Sequence, residues 1–330
     1  MKNILLIATG GTIASSQSDN GLTPAIDVNR LVSYVPNIKL ICNLDCISIM
    51  NVDSSNMSPA LIADIASSIA DNYQRYDGFV ITHGTDTMAY TAAGLSYMLS
   101  DIAKPVILTG SQLPIEADNT DATGNLYDAV LCACDNFEGI YIAFDGKLIA
   151  GTCATKIRTM GFDAFISVNK PFAAQINNGI ITKSSNNPKN KHKHNDCSGS
   201  SSSLIADTRL CPDIMVLKIF PGMRTDIMDY IKEHYKGVII ESFGIGGIPN
   251  SGSDMLAKIH ELTDAGIAVV ITTQCLYEGI NLNVYEVGQT LARQSIINGG
   301  SMTTEALVMK LMWALAHFDS LEEIKGYIEG

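Results

Sequence analysis

The sequence predicts an α/β fold of two unequal α/β domains, the larger N-terminal one with a mainly parallel sheet carrying the candidate active site. Three observations predict it. Short continuous apolar runs, most leaving through a glycine-containing or polar turn towards a helical stretch, recur from Ile4 to Thr273. Such runs mark strands buried on both faces of a parallel sheet, and their alternation with helices defines the class. The chain has 330 residues, more than the roughly 250–300 at which a single core stops growing. Finally, Lys183–Ser203 contains no aliphatic residue and no Phe, Tyr or Trp, so it has nothing to bury and reads as a disordered linker. The expected division is an N-terminal domain over 1–182, a linker over 183–208 and a smaller C-terminal domain over 209–330.

The elements follow in order. Ile4–Ala8 is the first buried strand, and it leaves through Thr9-Gly10-Gly11-Thr12-Ile13-Ala14-Ser15. Residues 16–24 are polar and contain glycine, so they read as a mobile loop and a candidate lid. Residues 27–35 read as a helix ending before Pro36, and Ile38–Met50 as a strand pair or one long strand. The polar cluster Asn51–Met57 precedes a helix over 59–72. Gly78–Thr82 is a second buried strand, followed by His83-Gly84-Thr85-Asp86-Thr87 and a helix over Met88–Leu99. Pro105–Thr109 is a third, ending in the polar turn Gly110-Ser111-Gln112. A helix is expected over Asn119–Cys134. Asp145-Gly146 signals a hairpin between Ile140–Phe144 and Lys147–Ala150, and the turn from Gly151 to Arg158 carries Lys156. In the second domain strands are expected at Ile214–Phe220, Gly237–Gly244 and Ile267–Cys275. The expected helices cover Thr225–His234, Asp254–Ala265, Met302–His317 and Leu321–Ile328.

Composition narrows the partners. The net charge of −12 argues against nucleic acid and against an anionic membrane surface, because phosphates are repelled. No apolar run approaches the roughly 20 residues of a membrane span. The opening apolar stretch is too short for a signal-peptide core, and the eight cysteines lack the dense spacing of a secreted scaffold. They read as free thiols, and the protein as cytoplasmic. Cys132-x-Cys134 is neither a redox pair nor a zinc knuckle. His192-x-His194 with Cys197 is the one metal-like spacing, but a polar linker rarely fixes ligand geometry, so no metal and no cofactor are expected. The nucleotide, flavin, serine-hydrolase and zincin fingerprints are absent from the sequence.

The chemistry rests on two threonines that follow strand ends. Ligands of open parallel sheets bind beyond the carboxyl ends of the strands, which is where Thr12 and Thr85 fall. For Thr12 alone, a tight turn with a capping threonine is an equal reading. Asp53 and Ser54 are open to two readings: caps of their segment, or groups that hold an amino acid's ammonium and carboxylate. Asp86 either favours a helix dipole or acts with Lys156. A threonine hydroxyl needs a base or a charged neighbour to become a nucleophile, and a lysine desolvated beside an aspartate can shuttle a proton through Thr85. If that lysine–aspartate pair is buried, removing Lys156 costs about 3–5 kcal/mol.

Thr9–Ser15 together with His83–Thr87 resembles the bacterial-type L-asparaginases. The likeness extends over Val52–Met57, Leu108–Gln112, Lys156, Thr272–Cys275 and Met302–Ala306, and leaves out only the linker. The pattern is most similar to the cytoplasmic, type I branch. The resemblance implies amide hydrolysis: Thr12 attacks the side-chain amide of L-asparagine, releasing ammonia, and water then cleaves the aspartyl ester. It implies that Thr85, Asp86 and Lys156 handle protons, that Asp53, Ser54, Thr85 and Asp86 bind substrate, and that the protein is a homodimer or homotetramer with a neighbour completing the site.

Two departures stand out. Many family members carry a tyrosine in the loop beside the nucleophile, where this chain has Leu22; Tyr277, Tyr285 and Glu305 are the alternative activators. Gly247 stands where some relatives place an asparagine that reaches a partner's site. Competing readings are a mixed glutaminase-asparaginase, a non-catalytic amino-acid sensor on the same fold, and an amidotransferase subunit. The last usually carries an extra N-terminal domain, whereas here the first strand begins at residue 4.

Overall fold

The computed structural model describes residues 1–18, 21–24, 26–185, 204–250, 254–284 and 295–330. The chain divides into two compact units, Met1–Thr208 and Arg209–Gly330. His192, His194, Cys197 and Tyr285 lie outside the described residues.

The first unit runs β1 (Lys2–Gly10), β2 (Ser15–Ser18), β3 (Gly21–Pro24), α1 (Val28–Ser33), β4 (Cys42–Val52), α2 (Pro59–Asn72), β5 (Gly78–Thr82), α3 (Met88–Met98), β6 (Pro105–Thr109), α4 (Ala122–Ala133), β7 (Gly139–Phe144), β8 (Lys147–Ala150), β9 (Ala154–Lys156), β10 (Phe165–Ser167), β11 (Ala174–Asn177) and β12 (Ile180–Lys183). Its main sheet has the order β12-β11-β8-β7-β6-β5-β1-β4. From β4 to β7 every pairing is parallel; β8, β11 and β12 extend the sheet with antiparallel pairings.

The apolar runs explain the centre of this sheet. Ile4, Leu6 and Ala8 of β1 share a core with Val28 and Leu31 of α1 and with Leu126, Ala129 and Val130 of α4. Leu5 and Ile7 alternate to the opposite face and are equally buried. Every position of β5 and β6 is buried. At roughly 25 cal/mol per Å2 of apolar surface, such a side chain stabilises the fold by about 1.5–3 kcal/mol. A polar substitution at Leu5 or Val80 therefore breaks the sheet rather than the site.

Register sets the edge where the site forms. Ala8 pairs with Thr82, Gly10 with Val52, and Thr82 with Thr109. The carboxyl ends of β4, β1, β5 and β6 thus lie side by side. A shift in the β1–β4 register between Ala8 and Gly10 turns the chain out of the sheet at the glycines.

Several expectations are corrected. The segment read as a mobile loop contains β2 and β3, an antiparallel pair in which Ser15 faces Pro24 and Ser18 faces Gly21. Ile38–Met50 is not a strand pair: a 3-10 turn at Pro36–Leu40 leads into the single long β4. Helix α4 starts at Ala122 rather than Asn119, where φ is +55°, outside helical space. Lys183, read as the first linker residue, ends β12 and pairs with Ala174. Strands β9 to β12 are three or four residues long, too short to leave a periodic signal in the sequence.

The second unit runs β13 (Ile214–Lys218), α5 (Ile227–His234), β14 (Gly237–Ser242), α6 (Met255–Asp264), β15 (Ala268–Thr273), β16 (Ile297–Asn298), α7 (Thr304–His317) and α8 (Leu321–Glu329). Its four described strands are all parallel, in sequence order. Val238, Ile240, Val269 and Ile271 pack with Ile231 of α5 and with Ile259 and Leu262 of α6. Helix α7 begins where the Thr303 hydroxyl accepts the Ala306 N–H, a side-chain N-cap. No described helix is long and apolar enough to cross a membrane.

Candidate functional site

Three loops meet at the carboxyl edge of the first sheet, and glycines let them meet. Gly11 has φ +82°, and a β-carbon there would stand 2.3 Å from the Gly84 nitrogen. A β-carbon on Gly84 would in turn stand 2.6 Å from the Cβ and Oγ of Ser54. The loop bearing Thr12, the loop bearing Thr85 and the turn bearing Asp53 and Ser54 are therefore pressed closely together. Only residues without a side chain allow this approach.

Thr12 opens a short 3-10 turn, Thr12–Ala14, and is half-buried between two buried neighbours, Gly11 and Ile13. The turn is pinned on each side. Gly11 N–H donates to Val52 O at 3.2 Å, the Ser15 hydroxyl donates to Gly11 O at 3.0 Å, and Ile13 O accepts the Ile115 N–H at 3.3 Å. The capping reading fails for Thr12: the residue before the turn is Gly11, with no side-chain cap.

The second loop is held from beneath by His83, which is buried. Its Nδ1 lies 2.7 Å from Gly84 O, and its Nε2 lies 2.9 Å from the Thr91 hydroxyl. Burial pushes the imidazole down to about 4, so it is neutral near pH 7. The carbonyl has only lone pairs to offer, so Nδ1–H donates and Nε2 accepts from Thr91.

Above it, Lys156 Nζ donates to Thr85 Oγ1 at 2.8 Å and to Asp86 Oδ1 at 2.6 Å. Lys156 ends β9, and its register opposite Phe165 of β10 fixes its position. The lysine side chain is 17% exposed and that of Asp86 64% exposed. The pair is thus solvated at its acidic end, and the penalty for stranding a buried charge does not apply to Asp86. A pair with its carboxylate open to solvent is worth about 1 kcal/mol or less.

Asp53 and Ser54 have structural partners. Asp53 Oδ1 accepts the N–H and the hydroxyl of Ser55 at 2.8 and 2.7 Å, capping a 3-10 turn over Ser54–Asn56. The Ser55 hydroxyl, and then its N–H, hold the Asp53 carboxyl below the usual carboxylate range. Ser54 is buried. Its Oγ accepts the Asp86 N–H at 3.3 Å and its carbonyl accepts the Thr87 hydroxyl at 2.8 Å. Capping and substrate contact remain compatible, since Asp53 stays an ionised acceptor beside the threonine loops.

The structure thus brings the Thr12, Thr85–Asp86, Lys156 and Asp53–Ser54 segments together. The alternative activators belong to the second unit: Tyr277 is exposed and Glu305 sits in the first turn of α7. Leu22 lies in β3 opposite Gln17. Gly247 closes a backbone bridge with Phe243, each donating to the other's carbonyl. One partner of the site was missed as such. The Thr85 hydroxyl donates to Gln112 Oε1 at 3.3 Å. The available signal was its place just past the third buried strand, on the same edge.

Among the described residues no cluster of His, Cys, Asp and Glu has the makings of a metal site. Fold and site together define a two-domain α/β protein with threonine, lysine and aspartate side chains gathered at strand ends. Residues 3–189 match the family domain described as Asparaginase, N-terminal, and residues 213–328 match the Glutaminase/Asparaginase C-terminal domain. The chain is 36% identical over 327 residues to the L-asparaginase of Thermococcus kodakarensis, covering 99% of this chain and 96% of that one. A solved structure of the thermostable L-asparaginase from the same organism superposes with a TM-score of 0.89 at 34% identity, over 99% of this chain and 97% of that one. L-asparaginase 1 of Escherichia coli (strain K12) is 34% identical over 98% of this chain and 95% of its own length. A glutamyl-tRNA(Gln) amidotransferase subunit of Pyrococcus horikoshii is also 34% identical, and the match spans 98% of this chain and 74% of that protein. The chain belongs to the asparaginase family, and is an amidohydrolase.

Proposed function

We propose that the protein is an L-asparaginase working through a threonine acyl-enzyme. The observation that carries this reading is Lys156 Nζ, 2.8 Å from Thr85 Oγ1 and 2.6 Å from Asp86 Oδ1, on the edge that also carries the Thr12 turn. In the first half-reaction the Thr12 oxygen bonds to the side-chain amide carbon of asparagine. The C–N bond breaks, and the nitrogen leaves as ammonia with the threonine proton. In the second, water attacks the ester, the Thr12–acyl bond breaks, and Thr12 regains a proton as aspartate departs. Thr85, Lys156 and Asp86 handle the protons: the ammonium beside Asp86 supplies one and takes one back through the Thr85 hydroxyl. Asp53 and Asp86 offer carboxylates to the substrate ammonium, and Ser54 and Thr85 line the same approach.

The reading extends to a cytoplasmic homodimer or homotetramer, as the family likeness implies. Similarity to an amidotransferase subunit supports one competing reading, in which ammonia is handed to a partner. The two separate in one experiment: the purified chain, without added protein, is given asparagine and glutamine side by side over a concentration range. Ammonia from asparagine, lost in Thr12→Ala, supports the asparaginase. A folded chain that binds asparagine without releasing ammonia supports the sensor or the partner-dependent subunit.

A further inference from the structure

Gln112 is held from both ends. Its backbone N–H lies 3.1 and 2.9 Å from the two carboxylate oxygens of Asp121, which also accepts from the Leu113 N–H and from Asn125 Nδ2. At the other end, Gln112 Nε2 lies 3.1 Å from Gly161 O and 3.5 Å from Arg158 O. Both are carbonyls with no proton to give, so the amide nitrogen must face them and Oε1 must face Thr85. A hydroxyl has a single proton, and the Lys156 ammonium has only protons to offer. Thr85 therefore gives its proton to Gln112 at 3.3 Å and receives one from Lys156 at 2.8 Å.

We propose that Gln112 is a positioning residue that sets the direction of the Thr85 hydroxyl proton, and with it which way protons pass between Thr85 and Lys156. The proposal rests on the reading of Thr85 and Lys156 as proton-handling groups. While Gln112 holds the Thr85 proton, Lys156 is favoured as the ammonium donor. For Thr85 to protonate a neutral Lys156, the hydroxyl must leave Gln112; the Thr85 O–H bond then breaks as the Lys156 N–H bond forms. Gln112 cannot take the proton itself, because an amide oxygen is far too weak a base. Among the described residues few charged groups surround Lys156. Asp86 touches it, and Arg158, two residues on, is paired with Asp163 at 2.6 Å. Of the elements packed against β9, β10 carries no titratable residue, and α3 carries Tyr90 and Tyr97 but no acidic or basic residue.

Ammonia release from asparagine is measured against pH for the wild-type chain, Gln112→Met and Gln112→Glu, with folding checked by thermal melting. Gln112→Met removes the acceptor at similar length. Its kcat falls about tenfold while KM stays within about twofold, and the limb of the pH–kcat profile moves to lower pH by about half a unit or more, the scale of one lost hydrogen bond. Gln112→Glu keeps an acceptor and adds a negative charge, so its limb moves to higher pH. If Gln112→Met does not fold, Gln112→Ala, which removes the same acceptor without adding charge, is read in its place against Gln112→Glu. Profiles unmoved, or moved in the same direction in both variants, overturn the positioning role and leave the wild-type activity standing. No ammonia from the wild-type chain overturns the asparaginase reading and this proposal with it.

Discussion

The Gly11 α-carbon rests against Gly84 so closely that a β-carbon would stand 2.3 Å from the Gly84 nitrogen and 2.5 Å from its α-carbon. This contact joins the Thr12 loop to the Thr85 loop, and it is made by backbone, which has no flexible end to move aside. Gly11→Ala therefore meets both a positive φ and a steric block. We expect it to lower stability by about 3 kcal/mol or more and to reduce turnover in whatever fraction folds. Thermal melting and ammonia release check the two effects separately.

Thr12 is half-buried and caps nothing, so its removal spares the fold. Thr12→Ala should melt within about 0.5 kcal/mol of the parent and lose at least about a thousandfold in kcat. Normal turnover by the folded variant would remove Thr12 from the nucleophile role. Thr12→Ser keeps the hydroxyl and should keep measurable activity.

Lys156→Met separates catalysis from stability. The Asp86 side chain is 64% exposed, so water replaces its lost partner, and the stability change should stay within about 1 kcal/mol. Turnover should fall about 10^2–10^4-fold, the range of a lost general acid–base group. A large drop in melting temperature with retained kcat would assign Lys156 to structure instead.

The buried His83 ties stability to pH. Its folded value is about 4 against 6.5 for the ordinary imidazole, so between these pH values the unfolded chain binds more protons. Stability is full above pH 6.5 and is lost as pH falls towards 4, by about 3 kcal/mol in all. Asp128 works oppositely: burial raises its carboxyl to about 6, which stabilises the fold at low pH and fades as pH rises through 6. Comparing urea unfolding of the parent and His83→Gln from pH 4 to 8 isolates the histidine. The difference in stability between the two should change with pH across 4–6.5 and level off above.

Much of the first unit was legible because β1, β5 and β6 are buried on both faces, and that condition writes itself as unbroken apolar runs. The strand-end turns, with Gly11, Thr12, Gly84 and Thr85, were legible for the same reason: the turn after such a run lies at the sheet's carboxyl edge. The β2–β3 pair is written in mostly polar residues, so its sequence carries no strand signal. The short strands β9 to β12 gave no period to read.

Sequence alone determined the class, the two-unit plan and the threonine-bearing turns, since burial and backbone turning are local demands on residue type. It did not determine how those turns meet. Lys156 is 71 residues from Thr85, and Gln112 is 27 residues from it and 49 from Gly161. No spacing rule links such positions; only the strand order, the parallel register and the Gly11–Gly84 contact bring them within hydrogen-bond reach. The exposure of Asp86, which decides what its ion pair is worth, was likewise set by tertiary structure, because solvent access belongs to the packed surface and not to the residue.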